Sequence, residues 1–444
     1  MNSHFMPSGL DEAYAAHLAT TAGAIDQALE ALQLQGLAIH AGRLHEVFLD
    51  DQSYPFRPNP WFLWLAPLAD APDSLILWEP GRRPRLILVV PEDYWHLPPA
   101  PPTDPWVQHF ALEIVATAEE ALARLPAAPQ RWAWLGEPAP PPGWQQVNPA
   151  PLRLRLEQAR CRKTEYELLC MREASRLGVA GHRAAERAFR AGGSEFAIHL
   201  AFLGASGMTD PDLPYASIVG LNEHAATLHY QHRDRQTPVQ HRCLLIDAGA
   251  AFRGYASDIT RTWAGTGMDL FRDLVDGMER MQQGLCAEVR AGVEWPALHL
   301  AAHRGVARLL RAAGVLRVGE EQALDSGLTR AFLPHGLGHL LGLQVHDVGG
   351  FHPAADAAPL PPPAEHRWLR LTRRLEPGFV VTVEPGIYFI PMLLAPLRAG
   401  SHAASVDWQL VDLLAPCGGI RIEDNVVVTA DGHHNLTREA FASA

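Results

Sequence analysis

The sequence predicts an α+β protein, in which a smaller α/β domain (a mixed sheet with flanking helices) precedes a larger domain. Three observations predict this. The first third alternates a helical pattern with short apolar runs bounded by Pro, Gly and Asp. At Thr164 the texture changes to long helical periods. Beyond these lie apolar strands, several of which carry a single acid.

In order along the chain, residues 9–35 have a helical period, with Leu18, Ile25, Leu29 and Leu32 on one side. GLAIHAG, WFLWLAPL, DSLILWEP, PRLILVVPEDYW and RWAWLG then read as strands. The proline-rich 137–151 reads as a linker or domain-edge loop. Thr164–Glu167 (TEYE) is a capping box that starts a helix, and further helices are expected over 195–206 and 269–313. RCLLIDAGA, YASDITRTW, GFVVTVEPGIYF and GIRIEDNVVV read as strands, and 353–368 as a second proline-rich loop. The expected domains are 1–160 and 161–444. Two strand pairs, each carrying two acids, hint at two related halves.

Composition narrows the function. The 444 residues are 48% hydrophobic and 19% charged, as in ordinary globular proteins. A net charge of −12 argues against a nucleic-acid or anionic-membrane surface and fits a protein that gathers carboxylates around cations. Lys163 is the single lysine, a bias that reads as genome composition. Cys161, Cys170, Cys243, Cys286 and Cys417 form no C-x-x-C pair, which disfavours a disulfide framework or a thiolate zinc site. The first residues lack the basic start and apolar core of a signal peptide, and no long apolar run spans a membrane. The expected location is the cytoplasm.

Asp247, Asp258, Glu384 and Glu423 each interrupt an apolar strand. One such acid is usually a turn cap or a solvent-facing residue. Four are different, because an unpaired buried carboxylate costs several kcal/mol. A hairpin turning near Phe252–Gly254 would set Asp247 directly opposite Asp258, with Cβ atoms roughly 5 Å apart. Like charges that close need a cation between them. Pro385 holds Glu384 extended. The pattern suits two divalent ions roughly 3.5–4 Å apart, and oxygen ligands with one imidazole point to manganese or a similar ion.

PHGLGHLLGLQVHDVGG, 334–350, is the candidate source of that imidazole. His335 and His339 have an i, i+4 spacing, but Gly336 and Gly338 weaken a helix and the glutamate of an H-E-x-x-H site is missing. Gly336, Gly338 and Gly342 do not have the spacing of a dinucleotide loop. Any one histidine alone is more readily a satisfied core or surface residue; their local density favours an active-site segment. The glycines are expected to let this backbone pass close to the metals. No G-x-S-x-G elbow, P-loop or nucleophilic cysteine context offers another chemistry.

With these residues assembled, the sequence resembles the pita-bread metallopeptidase family through the set Asp247, Asp258, His339, Glu384 and Glu423. PYASIVGLNEHAATLHY, LIDAGAAFRGYASDITRTW, FLPHGLGHLLGLQVHDVGGF, VEPGIYFI, GGIRIEDN and FLDDQSYPFRPNPWFLWL resemble its bacterial Xaa-Pro dipeptidase (prolidase) branch and the related organophosphorus acid anhydrolases, over nearly the whole chain.

The resemblance implies a pita-bread catalytic domain over 161–444 behind a capping and dimerisation domain. It implies two divalent metal ions, expected to be manganese, bridged by Asp258 and Glu423. Asp247 would complete one site, and His339 and Glu384 the other. A shared hydroxide would be the nucleophile, with Glu384 as general base. His335 and His346 would stabilise the oxyanion or hold the scissile carbonyl, and Arg421 would steady the carboxylates. Tyr215 and His229 would line the pocket, and Arg370 would grip the substrate carboxylate. The bland alternative for Arg370 is a surface cation beside Arg373 and Arg374. Asp51, with Tyr54 as a weaker neighbour, would reach the partner's pocket in a homodimer. Trp295, Val345 and Leu369 would be pocket walls, Trp295 standing in place of a smaller tyrosine.

The implied reaction is hydrolysis of Xaa-Pro dipeptides, with organophosphate ester hydrolysis as a side activity. Aminopeptidase P, acting on longer peptides, is the nearest alternative. A non-catalytic pita-bread binding protein is the alternative of another class.

Overall fold

The computed structural model describes residues 7–443, in two units. The first takes in the chain up to Cys170 together with Ala354–Ala357; the second holds Met171–Pro353 and Ala358 onward.

In the first unit, helix Leu10–Ala31 buries Tyr14, Leu18, Ile25 and Leu29 on one face. The sheet comprises β1 (Gly36–His40), β2 (Leu75–Trp78), β3 (Arg85–Val89), β4 (Ala111–Val115), β5 (Trp132–Leu135) and β6 (Gln146–Val147). Their order is β4-β3-β2-β1-β5-β6. β1, β2 and β3 pair antiparallel, whereas β4, β5 and β6 add in parallel, so the sheet is mixed. Ala38, Leu75, Leu77, Ile87 and Trp134 pack into one apolar cluster on it.

Two expectations fail here. WFLWLAPL is not a strand: Pro60–Leu63 is a short helix whose N-cap, Asn59, accepts a 3.0 Å hydrogen bond from Trp61 N–H. An all-apolar run looks the same as a strand or a buried helix, and the preceding Asn and Pro decide. The segment 137–151 is not structureless either, since it holds β6 and the first residues of helix Ala150–Cys161.

Glu167 accepts a 2.8 Å hydrogen bond from Thr164 N–H, the reciprocal half of the capping box, at the start of helix Glu165–Arg190. The helix expected over 269–313 is two, Asp269–Glu288 and Trp295–Ala312. Gly292, at φ 86°, breaks the chain between them.

The second unit contains two strand systems. In the first, β7 (Ile218–Leu221) and β11 (Thr260–Ala264) flank β8 (Cys243–Asp247), and β9 (Ala251–Phe252) and β10 (Tyr255–Ala256) form the hairpin tip. In the second, β12 (Val380–Val383) and β16 (His433–Asn435) flank β15 (Asp424–Val428), while β13 (Gly386–Tyr388) pairs β14 (Gly419–Arg421). Each system is thus a long antiparallel pair interrupted once. The interruptions hold Asp258, Glu384 and Glu423, and Asp247 ends β8 at the edge of the first. A bridge between Thr260 and Glu423 joins the two systems.

Candidate metal centre

The first acid pair rests on the β9–β10 hairpin. Its turn residues, Arg253 and Gly254, have φ of 50° and 86°, the left-handed pair of a tight two-residue hairpin. This turn lies one residue further along than the expected centre, and the register moves by two. Asp247 therefore faces Thr260, not Asp258. Asp258 sits diagonally from Asp247, at the level of Gly249, where any Cβ would lie 1.9 Å from the Ser257 carbonyl oxygen. Because side chains alternate with a period of two, an even offset keeps both acids on one face.

The second pair is directly opposed. Val383 pairs Asp424 and Gly386 pairs Arg421, which puts Glu384 and Glu423 at facing positions between them.

His339 enters from the irregular segment 334–350. Its Nδ1 lies 3.0 Å from the Leu340 carbonyl, which holds the proton there and leaves Nε2 free to ligate. Nε2 stands 3.6 Å from Asp258 Oδ2 and 3.5 Å from Glu384 Oε1. Asp258, His339 and Glu423 each offer a ligand atom within 4.8 Å of the others. The glycines serve a different contact from the one expected. A Cβ on Gly338 would lie 2.0 Å from the Thr382 carbonyl oxygen, so glycine lets this segment pack against β12, not against the ligand cluster.

Around the acids is a shell of donors. Tyr215 donates a 2.6 Å hydrogen bond to Asp258, and Thr260 one of 2.7 Å to Glu423. Arg421 reaches Asp247 Oδ2 at 2.6 Å, the Tyr388 hydroxyl at 2.8 Å and Thr260 Oγ1 at 3.1 Å. The Tyr388 hydroxyl also meets His335 Nε2 at 2.9 Å. Thr260 and Tyr388 were not singled out from the sequence. Thr260 stands two residues after Asp258, on the same strand face, which is the signal that could have found it.

The electrostatics are those of a site waiting for cations. Burial pushes the Glu384 carboxyl up to about 7. It lifts Asp258 and Glu423 well above the ordinary carboxylate range, and the neighbouring carboxylates lift them further. Burial holds His335 near 4 and His339 near 3, so both imidazoles are neutral. Asp247 Oδ1 is buried with no hydrogen-bond partner among the described residues. An orphaned buried oxygen among crowded, charge-averse carboxylates fits divalent ions as the missing partners.

The remaining expected residues fall in two groups. The His346 ring packs 4.5 Å from that of His339, and Arg370 and His229 are exposed residues whose charges act on the site histidines. Val345 is part-exposed, and buried Leu369 stands against Gly336. Trp295 is 0% exposed, a core residue at the start of its helix and not a cleft wall. In the first unit, Asp51 and Tyr54 are exposed on the loop closed by the Glu46–Ser53 bridge.

Residues 169–430 match metallopeptidase family M24, and residues 12–157 match the N-terminal domain of Xaa-Pro dipeptidases. The Xaa-Pro dipeptidase of Stenotrophomonas maltophilia (strain K279a) is 48% identical over 97% of this chain and 98% of its own. That of Xanthomonas euvesicatoria pv. vesicatoria (strain 85-10) is also 48% identical, over 98% and 99%. Among solved structures, proline aminopeptidase P II from Yersinia pestis superimposes with a TM-score of 0.72 at 24% identity, covering 97% of this chain and 96% of that one. Aminopeptidase P from E. coli gives 0.71 at 22%, covering 94% and 95%. At these identities the structures share the fold.

Proposed function

This chain belongs to metallopeptidase family M24, and from that premise we propose that it is a metal-dependent Xaa-Pro dipeptidase, releasing free proline from Xaa-Pro dipeptides. The observation that carries the reading is the cluster of Asp258, His339 and Glu423, with Glu384 3.5 Å from His339 and Asp247 diagonal to Asp258, in a chain whose first domain also matches Xaa-Pro dipeptidases.

Asp247, Asp258, His339, Glu384 and Glu423 would hold the divalent ions. When bound, such ions supply a nucleophilic water of lowered pKa and polarise the scissile carbonyl. The chain's own groups do the rest. Glu384 takes the proton from the attacking water and passes it to the departing imide nitrogen. His346, as a neutral imidazole, donates a hydrogen bond to the developing oxyanion, while His335, whose Nδ1 donates to the Gly336 carbonyl at 2.8 Å, packs beside the scissile carbonyl. Tyr388 orients His335 through their 2.9 Å contact. Arg370 receives the terminal carboxylate of the dipeptide, and Tyr215, His229, Val345 and Leu369 bound the pocket.

Manganese is the assigned ion, because carboxylates with one imidazole suit it better than a thiolate-preferring metal. Residues 1–160 serve dimerisation, and 161–444 catalyse. The exposed side chains of Phe48 and Leu49, beside Asp51, support a homodimer surface. The free, buried thiols of Cys243, Cys286 and Cys417 support a cytoplasmic setting. Among the described residues no helix is long and apolar enough to cross a membrane. Organophosphate hydrolysis is a side activity, since the same nucleophile can attack phosphorus.

A manganese-supplemented assay across Xaa-Pro dipeptides and Xaa-Pro-Yaa tripeptides tests this. Dipeptide turnover is expected. Cleavage of the tripeptides alone would replace the reading with an aminopeptidase P activity, and purified protein that neither binds nor needs a divalent ion would make it a binding protein.

A further inference from the structure

Away from the acids, three imidazoles meet. His299 and His303 sit one turn apart on helix Trp295–Ala312, at 2% and 1% exposure, and His366 comes from the proline-rich loop. Ring centroids are 4.6 Å apart for His299–His303, 4.5 Å for His299–His366 and 4.8 Å for His303–His366. One ring nitrogen from each lies within 4.8 Å of the others.

Their hydrogen bonding is incomplete. His299 Nε2 pairs with His366 Nδ1 at 2.9 Å, and His303 Nδ1 with Thr329 Oγ1 at 3.0 Å. His299 Nδ1 and His303 Nε2 are buried and have no partner among the described residues. Orphaned buried nitrogens are costly, and an apolar helix face would be served better by leucine. Burial holds both rings neutral, at about 2 for His299 and 3 for His303, so neither needs to lose a proton before ligating. The contact with Thr329 fixes His303 in orientation and leaves its Nε2 available, as second-sphere partners of metal-bound histidines do.

We propose that His299, His303 and His366 form a further metal site, distinct from the carboxylate centre and selective for an imidazole-preferring transition ion such as Zn²⁺. Three neutral nitrogens with no carboxylate discriminate against Mn²⁺, Mg²⁺ and Ca²⁺ and favour Zn²⁺, Ni²⁺ or Cu²⁺. Tetrahedral ligand bonds of about 2.0–2.1 Å hold the nitrogens roughly 3.3 Å apart, so the His299–His366 pair opens by a few tenths of an ångström while His303 closes in, a change that exchanges the His299–His366 hydrogen bond for two metal bonds. The site borders a pocket whose walls include Arg330, Glu365, Leu369 and His335. Binding there clamps the loop that carries Leu369 and Arg370 to the helix, beside a histidine assigned to the substrate.

The test is Zn²⁺ uptake by the full chain, measured by equilibrium dialysis and elemental analysis, for wild type, His303→Ala and His366→Ala. His366 is half-buried, so its variant decides the matter if His303→Ala does not fold. The expected result is one equivalent fewer in each folded variant, with the carboxylate-bound equivalents retained. Equal Zn²⁺ content in wild type and His366→Ala would overturn the proposal. As a second readout, Asp258→Ala should keep an equivalent of Zn²⁺ that His366→Ala then removes; an Asp258→Ala chain whose Zn²⁺ content His366→Ala leaves unchanged would also overturn it.

Discussion

Arg421 donates a 2.6 Å hydrogen bond to one oxygen of Asp247, while the other oxygen of that carboxylate stays buried without a partner among the described residues. The guanidinium thereby aims the free oxygen. It also ties Asp247 to Tyr388 and Thr260, which no ammonium can do at once. Arg421→Lys should keep the fold and the charge yet weaken metal binding about 10–100-fold. Manganese titration of the stripped protein measures this; unchanged affinity would contradict the aiming role.

Asp258 stands diagonal to Asp247, 3.6 Å from His339, and groups with His339 and Glu423. Asp258→Ala should abolish turnover, by ~10³-fold or more, as several kcal/mol of charge stabilisation are lost. At least one equivalent of metal should leave with it. Retained turnover would remove the two-metal mechanism.

The pH dependence of the stripped protein follows from its buried acids. Glu384 titrates at about 7 in the folded chain, against an ordinary carboxylate value of about 4 in the unfolded one. The folded state therefore holds more protons between these values, and its stability is full below the lower and declines as pH rises through the upper. Glu384 alone is worth on the order of 3 kcal/mol over that window, and Asp258 and Glu423 act in the same direction. The buried histidines, held well below the ordinary imidazole value, act in the opposite sense between pH 5 and 6.5. The comparison is therefore with metal-free Glu384→Gln, in which they cancel. The stability of the metal-free wild type relative to that variant should fall from pH 5 to pH 7.5; a difference that rises over that range would refute the assignment.

Gly338→Ala should be costly for a mechanical reason. Its Cβ would overlap the Thr382 carbonyl, so His339 or β12 has to move. A loss of about 1–3 kcal/mol in denaturant unfolding is expected, with weaker metal binding.

Arg370→Ala should raise KM for Xaa-Pro dipeptides about 10–100-fold, the worth of a charge-assisted hydrogen bond. Substrates amidated at the carboxyl end should be indifferent to the change. If both substrate types respond alike, Arg370 is a surface cation.

Much of this centre was legible because burying charge is expensive. Asp247, Asp258, Glu384 and Glu423 stand out on apolar strands for that reason alone, and the period of two kept the first pair on one face although its register was misjudged. The misjudgement has a local cause: the turn is centred on Arg253–Gly254, and composition does not count turn residues. Trp61–Leu68 failed because apolarity carries no period when every position is apolar. His299 and His303 show an i, i+4 signal, but their third member lies beyond a proline-rich loop, and only the folded chain reveals that meeting.

The interruption of each antiparallel pair also has a bearing on how the molecule assembles. Asp247 and Asp258 are brought together by a single hairpin, a contact the chain can close early and at small entropic cost. Glu423 joins them once both strand systems are in place, through the Thr260 bridge and the neighbouring Arg421–Asp247 ion pair. Two of the five ligands are thus kinetically local, and the other three arrive with long-range docking. Tight metal uptake then reports on the completion of folding, and a chain arrested before that docking is left with a hairpin of repelling carboxylates.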